Sequence, residues 1–188
     1  MPEKAPDNER REGILEAAAG VFLRYGFRKT SMDDLARAAG LSRQGLYLRF
    51  PTKEALFGAA LLQVIARSGA LARAAFERED LSAEERLLEG FAAFHGQMLG
   101  DQSAHLDELL EAAKSILGPI EQKVDEEFAL DLAKALRSTG VAAKWKPRVT
   151  AKDLAEHLIA ASHGWKHGCS NAAVYREKMR ISIRIACG

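Results

Sequence analysis

The stretch Thr30 to Lys53 reads T-S-M-D-D-L-A-R-A-A-G-L-S-R-Q-G-L-Y-L-R-F-P-T-K, and it constrains the fold more than any other part of the chain. Ser31 precedes Met32, Asp33, Asp34 and Leu35, which is a capping-box spacing with acids in the first helical turn. Leu35, Ala36 and Ala39 supply a small apolar face, and Gly40 stops the helix because glycine tolerates the left-handed backbone. Ser42 is an N-cap for a second helix from Arg43 to about Phe50. Pro51 ends that helix, and Thr52 caps the next one from Lys53 onward. Two short helices around a glycine turn make a helix-turn-helix.

At 3.6 residues per turn, Leu46 and Phe50 share one face of the second helix and are predicted to pack inward. Gln44, Gly45 and Leu48 fall opposite, with Arg43 and Tyr47 on one flank and Arg49 on the other. That outward row suits a DNA major groove. Arg pairs with guanine and Gln with adenine through two hydrogen bonds, and an exposed Leu48 suits a thymine methyl. Gly45 lets the backbone come close. Thr30, Tyr47 and Lys53 are placed for phosphates, which position a protein without reading sequence. Lys53 sits in the first turn of its helix, where free N–H groups also favour an anion. Ser31, Ser42 and Arg49 complete the candidate DNA-binding set.

Here the chain resembles the TetR family of one-component transcriptional regulators. The resemblance rests on A-A-A-G-V-F-L-R-Y-G-F (Ala17 to Phe27), T-S-M-D-D-L-A-R-A-A-G-L-S, and L-Y-L-R-F-P-T-K-E-A-L-F (Leu46 to Phe57), within residues 10 to 60. It implies base contacts from Arg43, Gln44, Gly45 and Leu48, and phosphate contacts from Thr30, Tyr47 and Lys53.

Charge agrees with that placement. The net charge of the 188 residues is only +1, yet residues 24–53 hold seven bases against two acids, and residues 54–188 hold 17 against 19. The positive excess is concentrated at the proposed DNA face. There is no signal peptide and no run of ~20 apolar residues, so a soluble, cytoplasmic protein with no membrane partner is expected. No phosphate loop, Cys–His zinc pattern or G-x-S-x-G is present, so the chain is read as a non-enzyme with no cofactor. Cys169 and Cys187 lie near opposite ends of one predicted helix, ~20–27 Å apart, beyond the ~7 Å reach of a disulfide. His163 and His167 have a chelating spacing, but no third and fourth ligand is identifiable, so no metal is assigned.

Helical patterning continues to the C-terminus and predicts an all-α fold of about nine helices. The expected division is a DNA-binding helix-turn-helix domain over residues 1–53, with 1–9 frayed, and a helical effector-binding and dimerisation domain over 54–188. Ser82 with Glu85 opens one helix by a capping box, Thr150 caps another, and residues 138–149 read as a loop. Ile181, Ile183 and Ile185 alternate like a strand, but no partner strand is evident, so a helix is expected with Val174, Lys178, Ile181 and Ile185 on one stripe. That stripe and Leu154, Leu158, Ala161 and Trp165 are the candidate homodimer interface, and Gly164 and Gly168 allow close approach of another helix. A single helix-turn-helix contacts few base pairs, so a two-fold dimer on a palindromic operator is expected, with half-sites ~34 Å apart. The resemblance also implies a small-molecule effector pocket in the body. Its candidates are Phe91, Phe94, His95, Met98, His105, Leu109, Phe128, Trp145 and Trp165.

Overall fold

A computed structural model describes residues 5–95, 105–169 and 171–188. All regular structure among them is helical: α1 (Ala5–Tyr25), α2 (Met32–Ala38), α3 (Arg43–Tyr47), α4 (Lys53–Phe76), α5 (Ala83–His95), α6 (Leu106–Leu117), α7 (Ile120–Ser138), α8 (Ala151–Gly168) and α9 (Ala172–Cys187). Most starts follow the expected caps. Ser31 with Asp34 and Thr150 with Asp153 form complete capping boxes, Ser82 and Glu85 bond reciprocally, and Asn171 accepts from Val174 N–H.

Three details depart from expectation. The helix α1 begins at Ala5, within the stretch expected to fray, where Asn8 bonds Glu12 and Asp7 pairs with Arg49; residues 1–4 lie outside the described residues. The loop between α7 and α8 contains a 3-10 turn, Val141–Trp145, with Val141 and Ala142 buried. The alternating isoleucines are helical: Ile183 is buried beneath Tyr175 and Met179 at four-residue steps, while Ile181 and Ile185 face outward.

Packing divides the chain into two compact units, Met1–Ala66 with Gln102–Ile120, and Arg67–Asp101 with Glu121–Gly188. A cut at residue 53 therefore does not follow the packing: the first unit also holds the start of α4 and all of α6. Its core joins Ile14, Leu15, Ala18 and Phe22 of α1 to Leu35 and Leu46, to Leu56, Phe57 and Ala60 of α4, and to Leu109 and Ala113 of α6. The second core joins Ala72 and Phe76 of α4 to Leu87 and Phe91 of α5, Phe128, Leu132 and Leu136 of α7, Leu154 and Leu158 of α8, and Tyr175, Met179 and Ile183 of α9. Gly90 is required there, since a Cβ at that position would sit 2.0 Å from the Phe76 ring.

By length and composition, α4 is apolar enough to cross a membrane. Its buried side chains, Leu56, Phe57, Ala60, Ala72 and Phe76, serve the two cores, and Arg67 and Arg73 interrupt it. Length and composition alone assign no span to such a helix.

Candidate nucleic-acid interface

Local chemistry builds the helix-turn-helix. Ser31 Oγ accepts from Asp34 N–H and donates to the Asp34 carboxylate, whose pKa is held below the usual carboxylate range by the Ser31 hydroxyl and N–H. At the other end of α2, Gly40 takes φ 65°, Gly40 N–H bonds Arg37 O and Leu41 N–H bonds Ala36 O. This is a Schellman closure with glycine at the left-handed position. Ser42, with extended backbone, then starts α3 by accepting from Gly45 N–H at 3.1 Å.

The helix α3 ends at Tyr47, three residues short of the expected limit, although Leu48 and Phe50 N–H still bond Gln44 and Leu46 carbonyls. Pro51 follows and stops it. Leu46 and Phe50 are buried and anchor α3 to the core. Arg43, Gln44, Tyr47, Leu48 and Arg49 are exposed, Leu48 at 82%, and Gly45 is half-buried. The helical-wheel assignment of inward and outward residues thus agrees with the packing.

The charges of this head are largely paired within the unit. Arg43 Nη1 lies 3.2 Å from Asp33 Oδ2, with its guanidinium 5.6 Å from the Tyr47 ring centre. Arg49 pairs with Asp7 at 3.1 Å, Arg37 with Asp34 at 3.5 Å, and Arg28 with Glu111 at 3.0 Å. Lys53 does not point its ammonium to solvent. It donates to the carbonyls of Phe27 at 2.9 Å and Thr30 at 3.0 Å and lies over the Phe27 ring. Thr30 is buried and donates its hydroxyl to Gly26 O at 2.6 Å. In this conformation both residues fasten the α1–α2 turn to the start of α4, so contact with a phosphate through these side chains requires them to let go. Sequence reasoning overlooked Asp33 and Asp7 as partners of Arg43 and Arg49. The former spacing is readable within the motif, whereas the latter arises only from the packing of α1.

The residues expected to line an effector pocket do not form one constellation. Phe94 stacks on Phe128 at 3.9 Å, Phe91 meets Phe128 edge-on, and His95 adjoins them, all in the second core. Trp145 packs against that core and donates Nε1–H to Ala186 O. Leu109 is instead buried in the first unit's core, and His105 also belongs to that unit, so neither joins the aromatic group. Trp165 is 36% exposed and donates to Ser182 Oγ, while Met98 lies outside the described residues.

The proposed interface stripes also separate. Leu154 and Leu158 are buried in the chain's own core, because α8 turns that face to α7 and α9 side chains. Ala161 is half-buried. Val174, Lys178, Ile181 and Ile185 of α9 are exposed, and Lys178 Nζ sits 5.3 Å from the Trp165 ring centre. His163 Nε2 lies 3.3 Å from Asp125 Oδ1, and the side chain of His167 lies outside the described residues. A further group had no sequence signal: Ser162 Oγ lies 2.7 Å from both His95 Nδ1 and Tyr175 Oη, and all three residues are buried.

An all-helical chain opening on a capped helix-turn-helix with an outward polar row defines a class, the helix-turn-helix regulators. Residues 14–60 match the family model of bacterial regulatory proteins, tetR family. The HTH-type transcriptional repressor ComR of Escherichia coli K12 is 37% identical over 83 residues, which is 44% of this chain and 40% of ComR. The HTH-type transcriptional activator FasR of Mycolicibacterium smegmatis is 40% identical over 58 residues, which is 31% of this chain and 26% of FasR. The matches thus span two fifths or less of these relatives. In fold, the TetR family regulator PfmR of Thermus thermophilus superposes with a TM-score of 0.64 at 24% identity, covering 91% of this chain and 97% of PfmR. The protein is thus similar to TetR family transcriptional regulators in the sequence of residues 14–60, and it shares the fold of a TetR family regulator over most of its length.

Proposed function

We propose that the protein is a repressor that binds a palindromic operator as a homodimer and releases it when a small molecule binds. The observation that carries the DNA-binding part is the exposed row Arg43, Gln44 and Leu48 on a helix locked from behind by Leu46 and Phe50. Direct readout needs donors and an apolar group on one outward face. Pairing is supported by the exposed apolar residues of α9 and its neighbour: Ile185 at 66%, Ile181 at 48%, Val174 at 39% and Trp165 at 36%. Clustered apolar exposure of this kind marks interaction surfaces. The effector part rests on the aromatic and polar groups gathered in the second unit, Phe91, Phe94, Phe128 and His95. Linkage requires the ligand to favour the DNA-incompetent state by the factor with which it weakens DNA binding.

Selection of bound duplexes from random DNA, followed by gel shift on the DNA flanking the gene, tests this reading. The expected result is a salt-sensitive, two-fold symmetric site bound by two chains. Absence of any enriched site sinks it. Ile185→Asp should shift the chain toward monomer in sedimentation and weaken operator binding. The second reading, an activator or a regulator without an effector, keeps the same DNA face; FasR, which is named an activator, favours keeping the sign open to a reporter assay.

A further inference from the structure

We propose that Asp33 is a specificity-positioning residue of the reading head: it holds Arg43 for a neutral guanine edge and discourages its capture by phosphate. The inference rests on the proposed base contact by Arg43. Asp33 lies in the first turn of α2, and its carboxylate meets Arg43 Nη1 of α3 at 3.2 Å. The pair is exposed, at 51% and 65%, so it contributes little to folding. Its consequence is orientation. The carboxylate holds one terminal nitrogen while the Tyr47 ring lies 5.6 Å from the guanidinium carbon, leaving a flexible side chain constrained from two sides.

Among the described residues, no other acceptor engages the Nε and Nη2 edge of Arg43. Two neighbouring N–H groups are what the O6 and N7 acceptors of guanine require. The charge beside them adds a second effect. A phosphate approaching Arg43 meets the Asp33 carboxylate as a like charge, whereas guanine presents neutral acceptors. An attractive contact to the right partner and a repulsive element against the commonest wrong one together produce specificity. Phosphates outnumber guanine edges along any duplex, so an undefended arginine is captured without regard to sequence. Asp34, one residue on, is committed to the Ser31 capping box and does not share this role.

The test uses the full chain, a duplex selected from random DNA, the same duplex changed at one base pair, and a random-sequence duplex. Asp33→Asn should bind random duplex more tightly, with a salt slope steeper by about one. Its preference for the selected base pair assigned to Arg43 should fall roughly tenfold. Asp33→Glu should retain most of that preference, and the melting temperature of Asp33→Asn should stay within about 2 °C. In an Arg43→Ala background, Asp33→Asn should cause no further loss of preference. The proposal is overturned if Asp33→Asn keeps the parent preference, or loses it equally with and without Arg43. If Arg43→Ala itself leaves every base preference intact, the base contact fails first, and that outcome is distinct because Asp33 then has nothing to position.

Discussion

The helix-turn-helix head, residues 26–55, and the second unit handle polar side chains in opposite ways. In the head, hydroxyls bond within their own turn: Ser31 to Asp34, Ser42 to Gly45, Thr52 to Ala55 and Thr30 to Gly26. The second unit also caps its helices locally, but in addition it sinks His95, Ser162 and Tyr175 into an apolar core, joining positions 67 and 13 residues apart. Local bonds shape a surface that stays free for a partner. A buried network fixes how the helices close on one another, because each of its members carries a penalty when left unsatisfied. No buried side-chain N or O atom lacks a partner among the described residues, so this network is complete.

The largest expected effects test the second unit's core. Phe91 is fully buried and edge-on to Phe128 at 5.2 Å. Phe91→Ala should lower unfolding stability by ~3–5 kcal/mol, measured by urea denaturation. A loss below about 1 kcal/mol would mean that this aromatic group is loosely packed. Next, burial pushes the Tyr175 hydroxyl up to about 12, with the Ser162 hydrogen bond acting in the opposite direction and the Cys169 charge adding to the rise. Unfolded tyrosine releases its proton near 10, so between these values the unfolded chain holds fewer protons and stability falls as pH rises. The loss should reach ~2–3 kcal/mol by pH 12, and Tyr175→Phe should remove it. Burial also pushes the Cys187 thiol up, and this produces a loss of the same sign that persists in Tyr175→Phe.

Smaller effects separate the two styles directly. Ser162→Ala leaves His95 and Tyr175 facing each other at 3.3 Å and removes the atom that bridges them, at ~1–3 kcal/mol. Ser31→Ala deletes a cap that water partly replaces, at ~1 kcal/mol, and should weaken operator binding in gel shift because α2 supports the reading helix. If Ser31→Ala proved the more damaging to unfolding stability, the contrast between local and buried polar groups would collapse.

This contrast also explains what was legible in advance. The caps at Ser31, Ser42, Thr52, Ser82 and Thr150, the glycine turn and the burial of Leu46 and Phe50 depend on residues within four positions of one another, so spacing alone reveals them. The His95–Ser162–Tyr175 group depends on which faces of α5, α8 and α9 meet, and no local pattern encodes that. The same cause misplaces Leu109: its helical stripe is readable, but the stripe does not say which core it enters. For the same reason the stripe of Leu154 and Leu158 suggests a partner, whereas their own core takes them. Lys53 is the instructive middle case, since its position in the motif is readable but its bonds to the Phe27 and Thr30 carbonyls span 26 and 23 residues.

The smallest predicted effect concerns Arg28 and Glu111, which pair at 3.0 Å with side chains 75% and 73% exposed. The pair joins the α1–α2 turn to α6 and therefore resembles a strut. Its exposure argues otherwise, because water screens both charges and ordering two long side chains offsets the attraction. A double-mutant cycle with Arg28→Ala and Glu111→Ala should give a coupling of ~0–1 kcal/mol, shrinking further as salt is added. The neighbouring contact is of another kind: Glu108 Oε1 accepts the Arg28 backbone N–H at 2.6 Å and packs against Gly26, where a Cβ would come within 2.7 Å of the carboxylate. Glu108→Gln keeps an acceptor for that N–H and should cost little, whereas Glu108→Ala strips it and should cost ~1–3 kcal/mol, the range for a charge-assisted bond to a backbone donor. A coupling at Arg28–Glu111 larger than the Glu108→Ala effect would show that side-chain charge, rather than backbone satisfaction, holds α6 to the turn.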